Sequence, residues 1–305
     1  MAVVRSRDTQ MSYYQVLGMT REPFSTSPDP AFMYLSAKHK AALCKLQIAI
    51  KLKRGLSVLL GEVGTGKTTL SRKVSQVLAQ DDDVSFHMIL NPYFKSEKQF
   101  LARLAELFRI ELDAETTSEL EYIEAIERYL FATGVEEGKT IVLLIDEAQM
   151  LPDYVLEVLR ILLNYETNEY KILQLVLVGQ MELLPRLRSM ANFWDRIATK
   201  IMLGPLGRDE IRNIIDFRLK EAGYTKITPL FTSEAIDLLT EYTGGYPRRL
   251  SAMCHNALEH LVMHDEIIVV KGIVENLVAQ DIQPDDLADT DGALNSMVGG
   301  VPNVF

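Results

Sequence analysis

Short apolar runs alternate with amphipathic stretches along the first two thirds of the chain. The runs at 56–60, 84–90, 140–145, 172–178 and 198–203 have the length and residue content of strands. Between them, apolar residues recur every three or four positions over 37–54, 67–79, 97–110, 117–132, 152–166 and 181–190. That is the spacing of helices that bury one face. Strands alternating with helices predict an α/β fold, a parallel sheet wrapped by helices. Pro205 and Gly207 interrupt the alternation. The periodic segments beyond them, 208–222, 232–242, 247–263 and 271–280, are all helical. A sheet domain followed by a smaller all-helical domain is therefore expected.

The two ends read differently. Residues 1–11 are polar and without period, which predicts a frayed start. Pro23, Pro28 and Pro30 exclude a helix through 21–31, so this stretch should be an extended strap carrying Phe24 and Phe32. Ser36 is placed to cap a helix beginning at Ala37, and Gly55 ends it. From Gln283 the chain is rich in Asp, Gly, Asn and Pro, a composition that predicts disorder. The boundaries that follow are a strap at 1–36, the sheet domain at 37–206, a helical lid at 207–281 and an acidic tail at 282–305.

With 305 residues, 48% of them hydrophobic, the chain can bury a large core. No apolar run approaches the roughly 20 residues that cross a bilayer. The N-terminal arginines are followed by no apolar segment, so neither a membrane span nor a signal peptide is expected. Cys44 and Cys254 show no paired spacing, which fits a reducing, cytoplasmic setting and argues against zinc. A net charge of −10 argues against nonspecific coating of nucleic acid by the whole surface. The charge is uneven, however. Residues 30–60 hold six cations (Lys38, Lys40, Lys45, Lys51, Lys53 and Arg54) and no acid, whereas 281–291 holds five aspartates and no cation.

The candidate chemistry begins at Gly61-Glu62-Val63-Gly64-Thr65-Gly66-Lys67-Thr68, which follows one strand and opens a helix. This is the phosphate-binding loop pattern. Its glycines let successive N–H groups face phosphates at a helix N-terminus, where the dipole favours anions. Lys67 is placed for the β- and γ-phosphates of ATP, Thr68 for Mg2+, and Thr69 continues the motif. The run 140–145 reads as a strand buried on both faces and ends in Asp146 and Glu147. Asp146 is placed to hold Mg2+ and Glu147 to polarise the attacking water. The adjacent acids favour hydrolysis over transfer to a second substrate.

Gln180 ends another buried run, where it can bridge the γ-phosphate and Glu147 as a sensor. Arg196, before the last strand, is a candidate finger reaching a neighbouring subunit's γ-phosphate, with Arg186 and Arg188 as competitors. Arg248, in the run 244–250, starts a helix from which it can approach the phosphates. The five histidines read as packed or solvated; His260 and His264 share a helix face but lack a third ligand.

These motifs together resemble the ExeA/GspA-type AAA+ ATPases of bacteria over residues 13–280. The marks are Glu22-Pro-Phe, Ser27-Pro-Asp-Pro, Phe32-Met-Tyr-Leu, GEVGTGKTT at 61–69, IDEAQ at 145–149, LVGQMEL at 177–183, LGPL at 203–206 and GGYPRRL at 244–250. The core is also similar to the TnsC, TniB and MuB-like transposition regulators, which assemble on DNA. The resemblance implies an ATP-driven homo-oligomeric ring or filament in which each site is completed by the next subunit. It implies a partner in a secretion or pilus machine or, alternatively, duplex DNA and a transposase. In secretion members the core is followed by a membrane-spanning helix and a peptidoglycan-binding domain. Neither is expected from these 305 residues.

Overall fold

The computed structural model describes residues 12–25, 30–112 and 118–281. The expected frayed start, the Ser27-Pro28-Asp29 part of the strap and the acidic tail lie outside them. Five strands form one parallel sheet: β1 (Leu56–Gly61), β2 (Val84–Ile89), β3 (Thr140–Ile145), β4 (Leu173–Gly179) and β5 (Ile197–Leu203), in the order β2-β3-β4-β1-β5. The helices that precede β5 in the chain are α1 (Tyr13–Val16), α2 (Ala37–Lys51), α3 (Lys67–Leu78), α4 (Glu97–Leu107), α5 (Glu119–Phe131), α6 (Asp153–Leu162), α7 (Leu183–Ser189) and α8 (Ala191–Trp194). After β5 come α9 (Arg208–Glu221), α10 (Ser233–Thr243), α11 (Pro247–Met263) and α12 (Lys271–Gln280).

Period-2 alternation in the strands sorts the core into two layers. Leu56, Val58 and Leu60 of β1, Ile141, Leu143 and Ile145 of β3, and Leu173, Leu175 and Leu177 of β4 pack with α4–α8. Leu59, Val142, Leu144, Val176 and Val178 point the other way, onto α2 and α3. The five apolar residues Ile141–Ile145 of β3 are all 0% exposed. At roughly 1.5–3 kcal/mol for each large buried side chain, this strand alone is a strong reason for the sheet to form. Serine caps set several helix starts. Ser36 accepts from the His39 amide, Ser96 from Gln99, and Ser118 forms a capping box with Glu121. Pro247 occupies the first position of α11, where its missing N–H costs nothing.

The chain divides into two compact units. One holds the sheet, from residue 27 to 210 with 246–248 added; the other holds 211–245 and 249 onward. Residues 12–25 belong to the helical unit, so the stretch expected as a single strap is divided. Thr20 donates from its amide and its hydroxyl to the Ala222 carbonyl, at 2.8 and 3.1 Å. Gly223, at φ +93°, allows this approach, since a Cβ there would stand 3.0 Å from the Thr20 hydroxyl. Phe24, 1% exposed, packs edge-on against Phe231. The strap is also not extended throughout: Tyr13–Val16 forms one helical turn and Pro30–Phe32 a 3-10 turn.

Candidate nucleotide site

In a parallel sheet the ligand crevice lies beyond the C-terminal strand ends. Here the strand order puts β4 between β1 and β3. The residue after β4, Gln180, therefore falls between the loop after β1 and the acids after β3.

Gly61 is the last residue of β1 and Lys67 the first of α3. Between them Gly64 and Gly66 take φ +81° and +92°, a left-handed backbone that side chains resist. A Cβ on Gly61 would meet the Leu203 carbonyl at 2.7 Å, which explains the first glycine. The loop carbonyls are occupied from within. Lys67 Nζ donates to the Gly61 and Glu62 carbonyls, both at 2.9 Å. The Thr65 hydroxyl also donates to the Glu62 carbonyl, at 2.8 Å. His39 Nε2 bonds the Thr65 carbonyl at 2.9 Å, and the Leu70 amide reaches the Gly66 carbonyl. The Thr65 amide also reaches the Glu62 carbonyl, at 3.4 Å, and the remaining loop amides are left to face the other side, as in an anion-binding nest. Glu62, Val63 and Thr68 are exposed at this loop, Gly64, Gly66 and Thr69 half-buried, and Thr65 and Lys67 buried.

Burial lowers the pKa of Lys67, and the carboxylates of Glu147 and Asp146 pull it back up. Asp146, 2% exposed, has its pKa raised by burial; the Glu147 amide donates to its Oδ1 at 2.9 Å and the Thr68 side chain bonds it. Thr68 and Asp146 are thus brought together as two hard oxygen donors. That donor set suits Mg2+, which takes its remaining ligands from phosphate and water. By contrast, His260 and His264 stack with ring centroids 4.0 Å apart, and no group of three or more metal-ligating side chains occurs among the described residues.

Glu147 sits in the left-handed region, φ 52° and ψ 38°, which costs a non-glycine residue about 1 kcal/mol. Its Oε2 accepts from Gln149 Nε2 at 2.5 Å and from Gln180 Nε2 at 3.3 Å. Gln149 Oε1 accepts the Gln180 amide at 3.0 Å, closing the cluster. A Cβ on Gly179 would stand 3.1 Å from that same Gln149 oxygen, so the glycine before Gln180 makes room for it. Sequence reasoning missed Gln149, although it lies inside the quoted IDEAQ run.

The arginines separate. Arg186 donates to the Gln149 and Leu151 carbonyls at 2.7 and 2.6 Å and pairs with Asp153 at 2.5 Å. It clamps the loop after Glu147. Arg188 lies over Trp194, whose ring also carries Lys200. Arg196 bonds only weakly to the Arg160 carbonyl, at 3.4 Å. β5 runs from Ile197 beside Leu56 to Leu203 beside Gly61. At about 3.3 Å per residue, Arg196 stands about 20 Å along the sheet from the loop. Arg248 is exposed in the short segment grouped with the sheet unit, its Cβ 3.2 Å from where a Cβ on Gly64 would be.

Comparison with known proteins agrees with this fold. Residues 50–187 match the family model described as an AAA domain. The chain is 37% identical over 264 residues to general secretion pathway protein A of Aeromonas hydrophila, covering 84% of this chain and 47% of that protein. It thus spans about half the length of this curated relative. Among solved structures it is similar to the Aeropyrum pernix ORC2 protein, at 18% identity and TM-score 0.61, over 88% of this chain and 74% of that one. It is equally similar to Cdc6p from Pyrobaculum aerophilum, at 18% identity and TM-score 0.62, over 82% and 69%. At such identity the structures speak for the fold alone. The sequence relative carries more, and the chain belongs to the AAA+ ATPases of the ExeA/GspA type.

Proposed function

We propose that this chain hydrolyses ATP, with Mg2+, as an assembling component of a bacterial secretion or pilus system. The observation that carries the reading is the grip of Gln180 on the Glu147 carboxylate, between the Lys67 loop and Asp146. Lys67 exchanges the Gly61 and Glu62 carbonyls for the β- and γ-phosphate oxygens, while the amides of 62–68 cradle the same groups. Thr68 and Asp146 would hold Mg2+, which would neutralise charge on the phosphates. Glu147 orients and polarises the water, and Gln180 reports the γ-phosphate to it. Arg248 approaches the phosphates from the loop side. Arg196 serves the site of the next copy in a homo-oligomeric ring or filament. The secretion assignment rests on the relative's name and identity. No helix among the described residues is long and apolar enough to cross a membrane.

Two variants test the chemistry. Lys67→Ala should abolish binding of a fluorescent ATP analogue. Glu147→Gln should keep that binding and lose at least about a hundredfold in kcat, as removal of a transition-state contact does. Normal turnover by Glu147→Gln would remove Glu147 from its role.

A second reading, DNA binding in the manner of transposition regulators, is favoured by one observation. Lys40, Lys45, Lys51 and Arg54 of the basic stretch are all exposed. Two of the six cations are engaged elsewhere: Lys38 bonds the Pro205 carbonyl and Lys53 lies over the Tyr170 ring. Anisotropy of a labelled duplex with the ATP-loaded chain decides it. Binding whose salt slope shrinks by about 0.9 for each of the four cations changed to alanine supports this reading. No binding at low salt rejects it.

A further inference from the structure

His39 is the one histidine that touches the nucleotide loop, and the site described above gives it no task. It lies in the first turn of α2, 4% exposed, beside Ser36 at 0%. Its Nε2 is 2.9 Å from the Thr65 carbonyl and its Nδ1 is 2.9 Å from the Ser36 hydroxyl. A carbonyl only accepts, so Nε2 must carry the proton. Nδ1 then accepts from the Ser36 hydroxyl, whose oxygen accepts in turn from the His39 amide at 3.4 Å. The Thr65 carbonyl fixes the proton on Nε2, and the Ser36 hydroxyl, free to donate, fits the neutral ring.

The ring also packs against the loop backbone. A Cβ on Gly66 would stand 2.6 Å from Nε2, so only glycine lets the imidazole reach this carbonyl. The Thr65 carbonyl and the Gly66 amide belong to one planar trans peptide and point in opposite directions. Holding the carbonyl inward aims the amide outward. Lys67 does the same for the peptides after Gly61 and Glu62, but it must leave those carbonyls to reach phosphate. The histidine contact has no such second duty.

We infer that His39 is a positioning residue of the nucleotide site: its neutral imidazole holds the Thr65 carbonyl and so aims the Gly66 amide at the phosphates. This rests on the reading of 61–68 as an ATP-binding loop. Its electrostatic setting suits the role. Burial keeps the ring neutral and lowers its pKa, against the Thr65 carbonyl and Glu210, which raise it, and with Lys38, which lowers it.

The test uses the full chain and a fluorescent ATP analogue, with Lys67→Ala as the control. Failure of the wild-type chain to bind, or unchanged binding by Lys67→Ala, rejects the loop reading and the inference with it. Given that control, His39→Leu should bind about tenfold more weakly, whereas His39→Gln, which keeps an N–H at similar reach, should stay within about threefold. The loss should appear in KM more than in kcat. Equal binding by Leu and wild type, or equal loss in Leu and Gln matched by equal loss of nucleotide-free melting temperature, would make the ring mere packing. If the variants do not fold, 15N NMR of labelled histidine in the wild-type chain decides. A proton on Nε2 in both the free and the nucleotide-bound chain supports the inference; one on Nδ1 overturns it.

Discussion

The two ends of the sheet are built to different standards. At the C-terminal ends of β1, β3 and β4, the side chains of Lys67, Thr68, Asp146, Glu147, Gln149 and Gln180 are tied to one another or to the loop. At the N-terminal end of β5, Arg196 is half-buried with a single contact of 3.4 Å, and Arg188 and Lys200 flank an aromatic ring. One end is preorganised, as a site that stabilises developing charge must be. The other holds its cations more loosely. Arg196 is about 20 Å along the sheet from its own loop, at the strand rise of about 3.3 Å, beyond the reach of its side chain, and in the function proposed above it serves the next copy.

The largest expected effect tests that division. Arg196→Ala should bind nucleotide normally and lose about a thousandfold in kcat, the low end for an arginine finger. Mixing it with Lys67→Ala should restore part of the activity, because a mixed interface has an intact loop facing an intact arginine. Steady-state hydrolysis against mixing ratio measures it. Activity that stays absent while light scattering shows co-assembly would move the finger to Arg188. Arg186 is the weaker alternative, since it is already clamped on Gln149, Leu151 and Asp153.

A smaller effect is expected inside the preorganised end. Gln180→Ala and Gln149→Ala each remove a hydrogen bond to the Glu147 carboxylate. Such bonds to charged groups contribute about 1.5–3 kcal/mol, so kcat should fall about tenfold to a hundredfold. KM should stay near the wild-type value for Gln149→Ala, whose side-chain bonds are to Glu147 and Gln180 alone, and rise modestly for Gln180→Ala, which also loses its γ-phosphate contact. Gln149 also accepts the Gln180 amide, so the double variant should lose less than the product of the single losses. A multiplicative double variant would mean that the two act independently.

How much of this was legible depended on distance along the chain. The loop at 61–68 and the run 140–147 carry their information locally: a glycine pattern, a strand period, adjacent acids. The strands and most helices followed the same way, within a residue or a few at their ends. The four-residue α1 and α8 did not, because four residues hold barely one helical turn and no period. The π-turn at Ala132–Glu136, running on from α5, was equally invisible. Gln149 is two residues from Glu147, yet its reach back to that carboxylate depends on the left-handed turn at Glu147. Arg186 acts across more than thirty residues, and His39 meets Thr65 from 26 residues away. From the sequence His39 reads as packed or solvated, and it is packed. Its Thr65 contact is a tertiary fact that helical spacing cannot carry.

The smallest effect concerns Asp146. Burial raises its folded pKa above the value of about 3.9 that it has in an unfolded chain. Between those two values the folded form binds more protons, so stability falls as pH rises through the window and the full penalty remains above it. At neutral pH the nucleotide-free chain therefore carries a desolvated carboxylate, which the Glu147 amide, Thr68 and Lys67 relieve only in part. Asp146→Asn removes this charge and keeps an oxygen to accept the Glu147 amide. Without nucleotide it should melt about 2–4 °C higher than wild type at pH 7, the shift that about 1 kcal/mol gives in a domain of this size. The gain should vanish below the folded pKa, where wild type is protonated too. With Mg2+ and a non-hydrolysable ATP analogue the order should reverse, because only the aspartate is stabilised by the ion. Thermal melts of both proteins across pH, with and without ligand, read the two signs together. A variant less stable than wild type without ligand at pH 7 would mean that Lys67 and Thr68 already compensate the buried charge. The preorganised end of the sheet would then be at rest before nucleotide arrives, rather than held under strain for it.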